Sequence, residues 1–351
     1  MNEAKLNMLI QGIDPVSKET VEAAEQHLNN LTKPPGSLGR LEAIAAQIAG
    51  ITGELAPDLS KRAVVVMAAD HGVCEEGVSA FPSEVTAQMV LNFLAGGAAV
   101  NVLARQAGAL VSCVDIGVKS ELEHPHLIKR KVRAGTANMA KGPAMSRSEA
   151  LQAIAAGAEL ANELAADGYR MFATGEMGIG NTTASAAIST LLAGMDPDAA
   201  VGRGTGIDEE RRRHKVDVVR LAITVNKPDP SDPLDVLAKV GGLEIAGLVG
   251  VILGAAASRC LVLIDGYISS AAALVACRLA PQALPYMLGS HLSNEQGHGE
   301  LLGRIGISPM IHLDMRLGEG TGAVLGFHFV DAALAVMREM ATFESAGISR
   351  G

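Results

Sequence analysis

The stretch Ala63-Val64-Val65-Val66-Met67-Ala68-Ala69-Asp70-His71-Gly72 decides the fold class of this 351-residue chain. An uninterrupted apolar run, rich in small and β-branched residues, ends in two polar residues and a glycine. Such a run is typical of a strand buried on both faces of a parallel sheet, because a strand with one face in water alternates apolar and polar residues. The polar residues that follow should then lie at the carboxyl edge of that sheet.

Similar apolar runs recur along the chain. They cover residues 110–116, 169–174, 260–264, 284–288 and 309–313. Helical patterns separate them, at residues 83–107, 147–166, 181–194, 207–225, 242–258, 268–280 and 321–342. This alternation of strands and helices predicts an α/β fold with a doubly wound, mostly parallel, Rossmann-like sheet.

The two ends of the chain differ from this pattern. Residues 1–60 place apolar side chains at helical spacing on both sides of a turn at residues 33–37 and contain no strand-like run. We therefore expect a small helical domain formed by residues 1–60 together with residues 325–351. The large α/β catalytic domain would then cover residues 61–324.

Composition excludes several classes of protein. Nearly half of the residues (48%) are apolar, but aromatic residues are only 3% and tryptophan is absent, so small aliphatic side chains must fill the core. The net charge of −9 argues against a nucleic-acid surface, which needs basic residues to neutralise phosphates. The apolar stretches are interrupted by glycines and charges, so we expect no membrane-spanning segment and no membrane partner.

Cysteine usage bears on the location of the protein. The four cysteines are widely separated and form no CxxC pair: Cys74, Cys113, Cys260 and Cys277. The start of the sequence, Met1-Asn2-Glu3-Ala4-Lys5, leads us to expect no secretory leader. Both observations favour a reduced, cytoplasmic setting.

Two short glycine-rich loops carry one glutamate each. Glu176 lies in Gly175–Thr183, and Glu319 lies in Arg316–Ala323. Each loop follows an apolar run and precedes an alanine-rich helix, where glycines allow backbone N–H groups to approach an anion and the helix start adds partial positive charge. A phosphate-bearing substrate fits such loops, and a partly buried carboxylate can act as a general base. The simpler alternative is that each glutamate only complements a helix dipole.

A third glycine-rich turn covers residues 203–208. Its Asp208 is a candidate N-cap for the helix that carries Lys215. The ammonium group of Lys215 could reach back along this helix or extend into water. None of the three loops is a Walker or dinucleotide-binding motif, because no Gly-Lys-Ser/Thr and no GxGxxG at the first strand occur.

Acidic and histidine residues at strand ends leave a metal site open as an alternative. The candidates are Asp70, His71, Asp115, Asp265, His291, His298, His312 and Asp314. No HxxxH or tight ligand cluster is present, and Asp-Gly or His-Gly pairs often close turns, so we favour no metal. A GxSxG nucleophile motif is also missing.

Several motifs in order resemble one enzyme family, the nicotinate-nucleotide:dimethylbenzimidazole phosphoribosyltransferases, from about residue 20 to residue 345. They are Lys33–Glu42, Ala69–Val73, Phe81–Thr86, Gly175–Thr183, Lys215–Val219, Val240–Gly242 and Arg316–Ala323. The resemblance implies transfer of the phosphoribosyl group of nicotinate mononucleotide to 5,6-dimethylbenzimidazole. The product would be α-ribazole 5′-phosphate for the nucleotide loop of cobalamin, formed without a cofactor or metal.

The resemblance also implies roles for residues. Glu319 would be the general base and Glu176 the second acid near the ribose. Phosphate and ribose would be bound by Gly178, Asn181, Thr182, Gly204 and Lys215. The acceptor base would contact Phe81 and Met89, and we add two apolar neighbours of the glutamates, Met177 and Leu317. The resemblance also implies a homodimer. Two other functions remain as alternatives: a metal-dependent phosphohydrolase using Asp70, His71 and Asp265, and a non-catalytic nucleotide-binding protein.

Overall fold

The computed structural model describes residues 1–349, and its centre is a seven-stranded sheet in which all neighbouring strands are parallel. The strands are β1 Arg62–Ala69, β2 Leu110–Gly117, β3 Ile128–Lys129, β4 Met171–Met177, β5 Leu261–Ile264, β6 Met287–Leu292 and β7 Pro309–His312. Their order in the sheet is β3-β2-β1-β4-β5-β6-β7, so the winding reverses between β1 and β4. Such a reversal defines a doubly wound sheet and opens a crevice at the carboxyl edge. The predicted fold class is confirmed.

Helices cover both faces of the sheet. In chain order they are α1 Glu3–Gln11, α2 Lys18–Asn30, α3 Arg40–Thr52, α4 Glu84–Leu94, α5 Ala99–Gln106, α6 Arg147–Ala166, α7 Asn181–Ala193, α8 Pro197–Ala200, α9 Glu209–Asn226, α10 Pro233–Val240, α11 Leu243–Ala257, α12 Tyr267–Leu279, α13 His298–Ile305, α14 Thr321–Glu339 and α15 Phe343–Ala346. Short 3₁₀ helices cover Gly72–Glu76 and Pro281–Tyr286.

Some element boundaries differ from the prediction. The helix expected at residues 83–107 is two helices, α4 and α5, because the chain turns at Gly96, whose φ of 76° lies in the left-handed region. The strand expected at residues 284–288 begins at Met287, since a 3₁₀ helix containing Pro285 precedes it. β4 extends to Met177, so Glu176 belongs to the strand itself.

The core agrees with the composition. Every residue from Ala63 to Ala69 in β1 is buried, as expected for a strand covered on both faces. On one face, α6 and α11 approach so closely that a Cβ at Gly250 would lie 2.0 Å from the Ile154 carbonyl oxygen. Small residues therefore replace large aromatic ones as the means of filling this core.

The two ends of the chain meet in the structure. The Thr32 N–H donates to the Ala341 carbonyl oxygen at 3.0 Å, and Leu31 forms an antiparallel bridge with Thr342. Helix α14 packs both on α3 and on strands β4 to β6, and the expected domain boundary at residue 324 falls within this helix. The division into two domains stays a proposal.

Two helical stretches, Glu84–Gln106 and Thr321–Glu339, are long and apolar enough to cross a membrane by length and composition alone. This is weak evidence, because core helices of soluble proteins pass the same test. The second stretch is α14, which packs on the sheet. The expectation of no membrane-spanning segment stays a prediction.

Candidate active site

A cavity of about 470 Å³ opens at the carboxyl edge of the sheet, where β4 and β5 end and α7 and α14 begin. Every residue predicted for the site except Lys215 lines it. These are Phe81, Met89, Glu176, Met177, Gly178, Asn181, Thr182, Gly204, Leu317 and Glu319. The parallel topology explains the meeting, because all strands end at the same edge and each loop is thereby directed into one crevice.

Glu176 is buried near the end of β4. Its Oε2 accepts a hydrogen bond from the Asn181 side-chain amide, and its carboxylate also accepts one from the Glu319 backbone N–H. Burial raises the pKa of Glu176 to about 8; the Asn181 hydrogen bond opposes this shift and the nearby Asp265 charge adds to it. Glu176 therefore keeps its proton at neutral pH.

Glu319 has an unusual backbone conformation. Its φ is 63°, and the flanking Gly318 and Gly320 have φ values of 83° and 92°. Its Oε2 accepts from the Val100 backbone N–H at 3.4 Å, in the first turn of α5. Burial raises the pKa of Glu319, and this amide opposes the shift. A left-handed conformation at a residue other than glycine is uncommon and costly, and strained residues are enriched at functional sites.

The two glutamate loops, recognised separately in the sequence, pack against each other. A Cβ at Gly318 would lie 2.3 Å from Glu176 Oε1, and one at Gly175 would lie 2.5 Å from the Glu319 carbonyl oxygen. Neither position has room for a side chain. The glycines therefore bring both acids to one cavity, which is more than the helix-dipole alternative requires.

Lys215 is fully buried behind Thr182, and its Nζ donates to Thr182 Oγ1 at 2.7 Å. The alternative in which it extends into water is wrong. Among residues 1–349, no carboxylate lies within ion-pair distance of this ammonium, and burial lowers the pKa of Lys215 to about 8. Asp208 is the N-cap of α9, as predicted, since its side chain accepts from the Arg211 N–H at 2.9 Å.

Two charged residues of the cavity, Glu295 and Arg316, were not among the predicted site residues. Both carboxylate oxygens of Glu295 accept from the Gly204 N–H, at 3.0 and 3.2 Å, and the Arg316 guanidinium donates to the Gly204 carbonyl oxygen at 3.2 Å. Arg316 is the first residue of the recognised motif Arg316–Ala323 and could have been named from it. Glu295 carries no such signal, because it reaches this turn from a segment 91 residues away.

One wall of the cavity is apolar. Met89 and Met177 are partly buried, whereas Phe81 and Leu317 are 51% and 57% exposed. Other apolar residues extend this wall, namely Val78, Val85, Ile179 and Ile268. A flat hydrophobic ring could lie against this surface with its polar edge toward the two acids.

The side chains considered for a metal site have other partners. His71 Nε2 lies 2.5 Å from Glu244 Oε1, Asp70 accepts from the Lys119 N–H at 2.7 Å, and Asp265 accepts from backbone amides. In the part of the chain that the structure describes, no three His, Cys, Asp or Glu side chains are grouped so that they could bind a metal ion.

Fold and site together define an α/β enzyme with two buried acids and glycine-rich loops at one cavity. A phosphoribosyltransferase family model matches residues 13–348. The nicotinate-nucleotide–dimethylbenzimidazole phosphoribosyltransferase of Chloroflexus aggregans is 55% identical over 345 residues, which are 98% of each chain. The enzyme of the same name from Geobacter sulfurreducens is 52% identical over 99% of each chain.

Solved structures agree with these sequence relatives. The crystal structure of nicotinate-nucleotide-dimethylbenzimidazole phosphoribosyltransferase from Thermus thermophilus aligns with a TM-score of 0.90 at 46% identity, covering 95% of this chain and all of that one. The chain belongs to this phosphoribosyltransferase family and is therefore a pentosyltransferase. The resemblance identified from the sequence is confirmed.

Proposed function

We propose that the chain transfers the 5-phosphoribosyl group of nicotinate mononucleotide to 5,6-dimethylbenzimidazole. The products are nicotinate and α-ribazole 5′-phosphate, which enters the nucleotide loop of cobalamin. The names of the relatives support these substrates. The observation that carries the proposal is one cavity that combines two buried acids, glycine-rich anion loops and an apolar wall.

The reaction breaks one C1′–N bond and forms another. The bonding electrons leave with the nicotinate nitrogen, and a ring nitrogen of the acceptor attacks C1′. The other ring nitrogen of the acceptor then loses its proton, which Glu319 accepts as the general base. Glu176, which is protonated at neutral pH, donates a hydrogen bond near the ribose. Atoms and charge balance without a metal or cofactor.

The 5′-phosphate is assigned to the loops around Thr182. Gly178, Asn181, Thr182 and Gly204 line this part of the cavity, and the buried Lys215 lies directly behind it. A cation that is buried without a carboxylate partner is unfavourable until an anion approaches, so phosphate binding supplies the missing charge.

The acceptor ring is assigned to the apolar wall. Phe81, Met89, Met177 and Leu317 offer aromatic, thioether and aliphatic surfaces to the flat ring and its two methyl groups. Burial of such a ring needs no directional contacts except at its nitrogens. This assignment predicts that related benzimidazoles are also accepted.

We propose that the enzyme is a homodimer. The helical stretch Glu84–Gln106 is apolar, yet only 33% of an apolar span of 18 residues within it is buried in one chain. Leu91 and Val102, both on this stretch, are 47% and 51% exposed. A second copy that covered this surface would lie beside the cavity, because Met89, which lines the cavity, belongs to α4 together with Leu91. Sedimentation equilibrium measures this directly, and a monomer at micromolar concentration would contradict the proposal.

We also propose a cytoplasmic location. All four cysteines are free in the structure, and Cys113 and Cys260 are buried. Free thiols of this kind are usual in a reducing compartment. Cell fractionation with an antibody against the native protein tests the assignment.

One assay tests the function. Purified protein receives nicotinate mononucleotide with a panel of benzimidazoles, purines and phenols, and mass spectrometry follows nicotinate release and product formation. We expect α-ribazole 5′-phosphate, with turnover retained in excess chelator. Loss of turnover in chelator would support a metal-dependent enzyme. Tight binding of nicotinate mononucleotide without nicotinate release would support a nucleotide-binding protein.

A further inference from the structure

Asp265 directly follows β5, and its side chain accepts hydrogen bonds from the backbone that follows Glu319. The side chain is 1% exposed. Its Oδ2 accepts from the Gly320 N–H at 3.2 Å, and its Oδ1 accepts from the Ala323 N–H at 2.9 Å. These amides belong to the start of α14, directly after Glu319, and neither is used by the helix itself.

The Glu319 loop requires external support. Three successive residues, Gly318 to Gly320, have positive φ, and the middle one is not a glycine. Such a conformation persists only where the surrounding structure fixes it. Asp265 supplies that constraint on one side, and the close approach of Gly175 to the Glu319 carbonyl oxygen supplies it on the other.

Asp265 is itself fixed by the neighbouring strands. Its backbone N–H donates to Thr174 Oγ1 at 3.1 Å, and this hydroxyl donates to the Leu263 carbonyl oxygen at 3.3 Å. The His291 ring lies 3.9 Å from Asp265 Oδ1. Asp265 is thus held by contacts with β4 and β6, the strands on either side of β5.

We propose that Asp265 is a positioning residue for the transfer reaction: its two amide contacts orient the Glu319 carboxylate toward the acceptor nitrogen. This inference rests on the proposed role of Glu319 as the general base. Asp265 does not line the cavity, so it acts through Glu319 and not on the substrate. The sequence also allowed Asp265 to be a metal ligand, which is a different role from the one proposed here.

The test compares Asp265→Asn with a matched control. Asn has the same shape as Asp, but its NH₂ group cannot accept a hydrogen bond. One of the two contacts with the backbone amides of Gly320 and Ala323 is therefore lost. We expect kcat to fall by about 10²-fold, the cost typical of a small misplacement, with an unchanged KM for nicotinate mononucleotide. Asp232→Asn is the control, because Asp232 also caps a helix, α10, away from the cavity: its Oδ1 accepts from the Leu234 and Asp235 N–H groups at 3.0 and 3.2 Å. Its Oδ2 accepts from the Arg147 guanidinium at 2.6 Å, so this variant also loses a contact of the carboxylate. It should lower thermal stability and leave kcat unchanged.

A double-mutant cycle separates positioning from general support of the fold. In the Glu319→Gln background, Asp265→Asn should cost no further activity, because the base it positions is already absent. Additive losses, or a rise in KM equal to the fall in kcat, would overturn the inference. If Asp265→Asn does not fold, the isosteric Thr174→Val takes its place; it should lower kcat alone, and equal effects on kcat and KM would again overturn the inference.

The same measurements separate failure of the proposed function from failure of the positioning role of Asp265. A wild-type enzyme that releases no nicotinate would refute the proposed function. A wild-type rate for Glu319→Gln would refute its role as the base. Slow turnover by Glu319→Gln together with a wild-type rate for Asp265→Asn would refute only the positioning role.

Discussion

Burial alters the three ionisable side chains at the centre of the proposed chemistry. It raises the pKa values of Glu176 and Glu319 and lowers that of Lys215. Each shift disfavours the charged form, as expected when a group leaves water. The cavity therefore suits substrates that provide a phosphate to the Lys215 ammonium and a proton to the Glu319 carboxylate.

Replacement of Glu319 by Gln should slow nicotinate release by about 10²–10⁴-fold, the range typical of a lost general base. The loop keeps its shape, so binding of nicotinate mononucleotide should survive. Steady-state kinetics and calorimetry measure the two effects. If Glu176→Gln is inactive while the Glu319 variant turns over at the wild-type rate, the two roles are reversed.

Replacement of Lys215 by Ala should weaken nicotinate mononucleotide much more than the unphosphorylated nicotinate riboside. A charge-assisted contact to phosphate contributes about 1.5–3 kcal/mol, so the ratio of the two effects should be roughly tenfold or more. Arg213→Ala is a suitable control, because Arg213 lies on the same helix and is 75% exposed. Equal losses for both substrates would show that Lys215 supports the fold and not the phosphate.

The lowered pKa of Lys215 also predicts a pH dependence. In the empty enzyme Lys215 loses its proton as the pH rises through about 8, so affinity for nicotinate mononucleotide should fall above that pH. Affinity for nicotinate riboside should fall less over the same range, because the riboside has no phosphate and responds only to loss of the Glu176 proton, whose pKa is also about 8. Calorimetric titrations at pH 7 and pH 9 measure both, and parallel curves for the two ligands would contradict the assignment.

At the scale of elements, local sequence patterns were enough where an element is long and its ends are marked. The seven-residue run of β1 and the glycine loops before α7 and α14 could be placed without coordinates. The two-residue β3 is too short to leave a pattern. Glu295 and Asp265 act on loops 91 and 55 residues away, and only tertiary structure brings them there.

The tight packing of α6 on α11 can be tested by filling it. A Cβ at Gly250 would lie 2.0 Å from the Ile154 carbonyl oxygen, which is backbone and cannot move aside. Gly250→Ala should therefore destabilise the protein by about 1–3 kcal/mol, the usual cost of overpacking. Gly303→Ala is the control, because this exposed helical position in α13 has no neighbour within 4 Å and should gain about 0.5–1 kcal/mol. Urea unfolding of both variants measures the difference.

At the scale of the whole molecule, the site exists because distant segments end at one edge. The cavity wall draws on residues from Val78 to Glu319, and no single segment contains both an acid and the full anion site. The helices at the two ends of the chain support this edge from outside, since α14 begins directly after Glu319 and continues to the contact with α3. A change in the packing of the terminal helices should therefore alter the position of Glu319, the proposed base.

The apolar wall should decide which acceptor is used and leave the phosphoribosyl donor unaffected. A lost methyl contact changes binding by only about 1–3 kcal/mol, so unsubstituted benzimidazole should also be a substrate. Met177→Ala and Leu317→Ala should alter the ranking among benzimidazoles, which competition assays measure. The KM for nicotinate mononucleotide should stay nearly unchanged. Leu221→Ala, an exposed position on α9 that does not line the cavity, controls for loss of apolar surface in general. An unchanged ranking in both cavity variants would remove these side chains from the acceptor pocket.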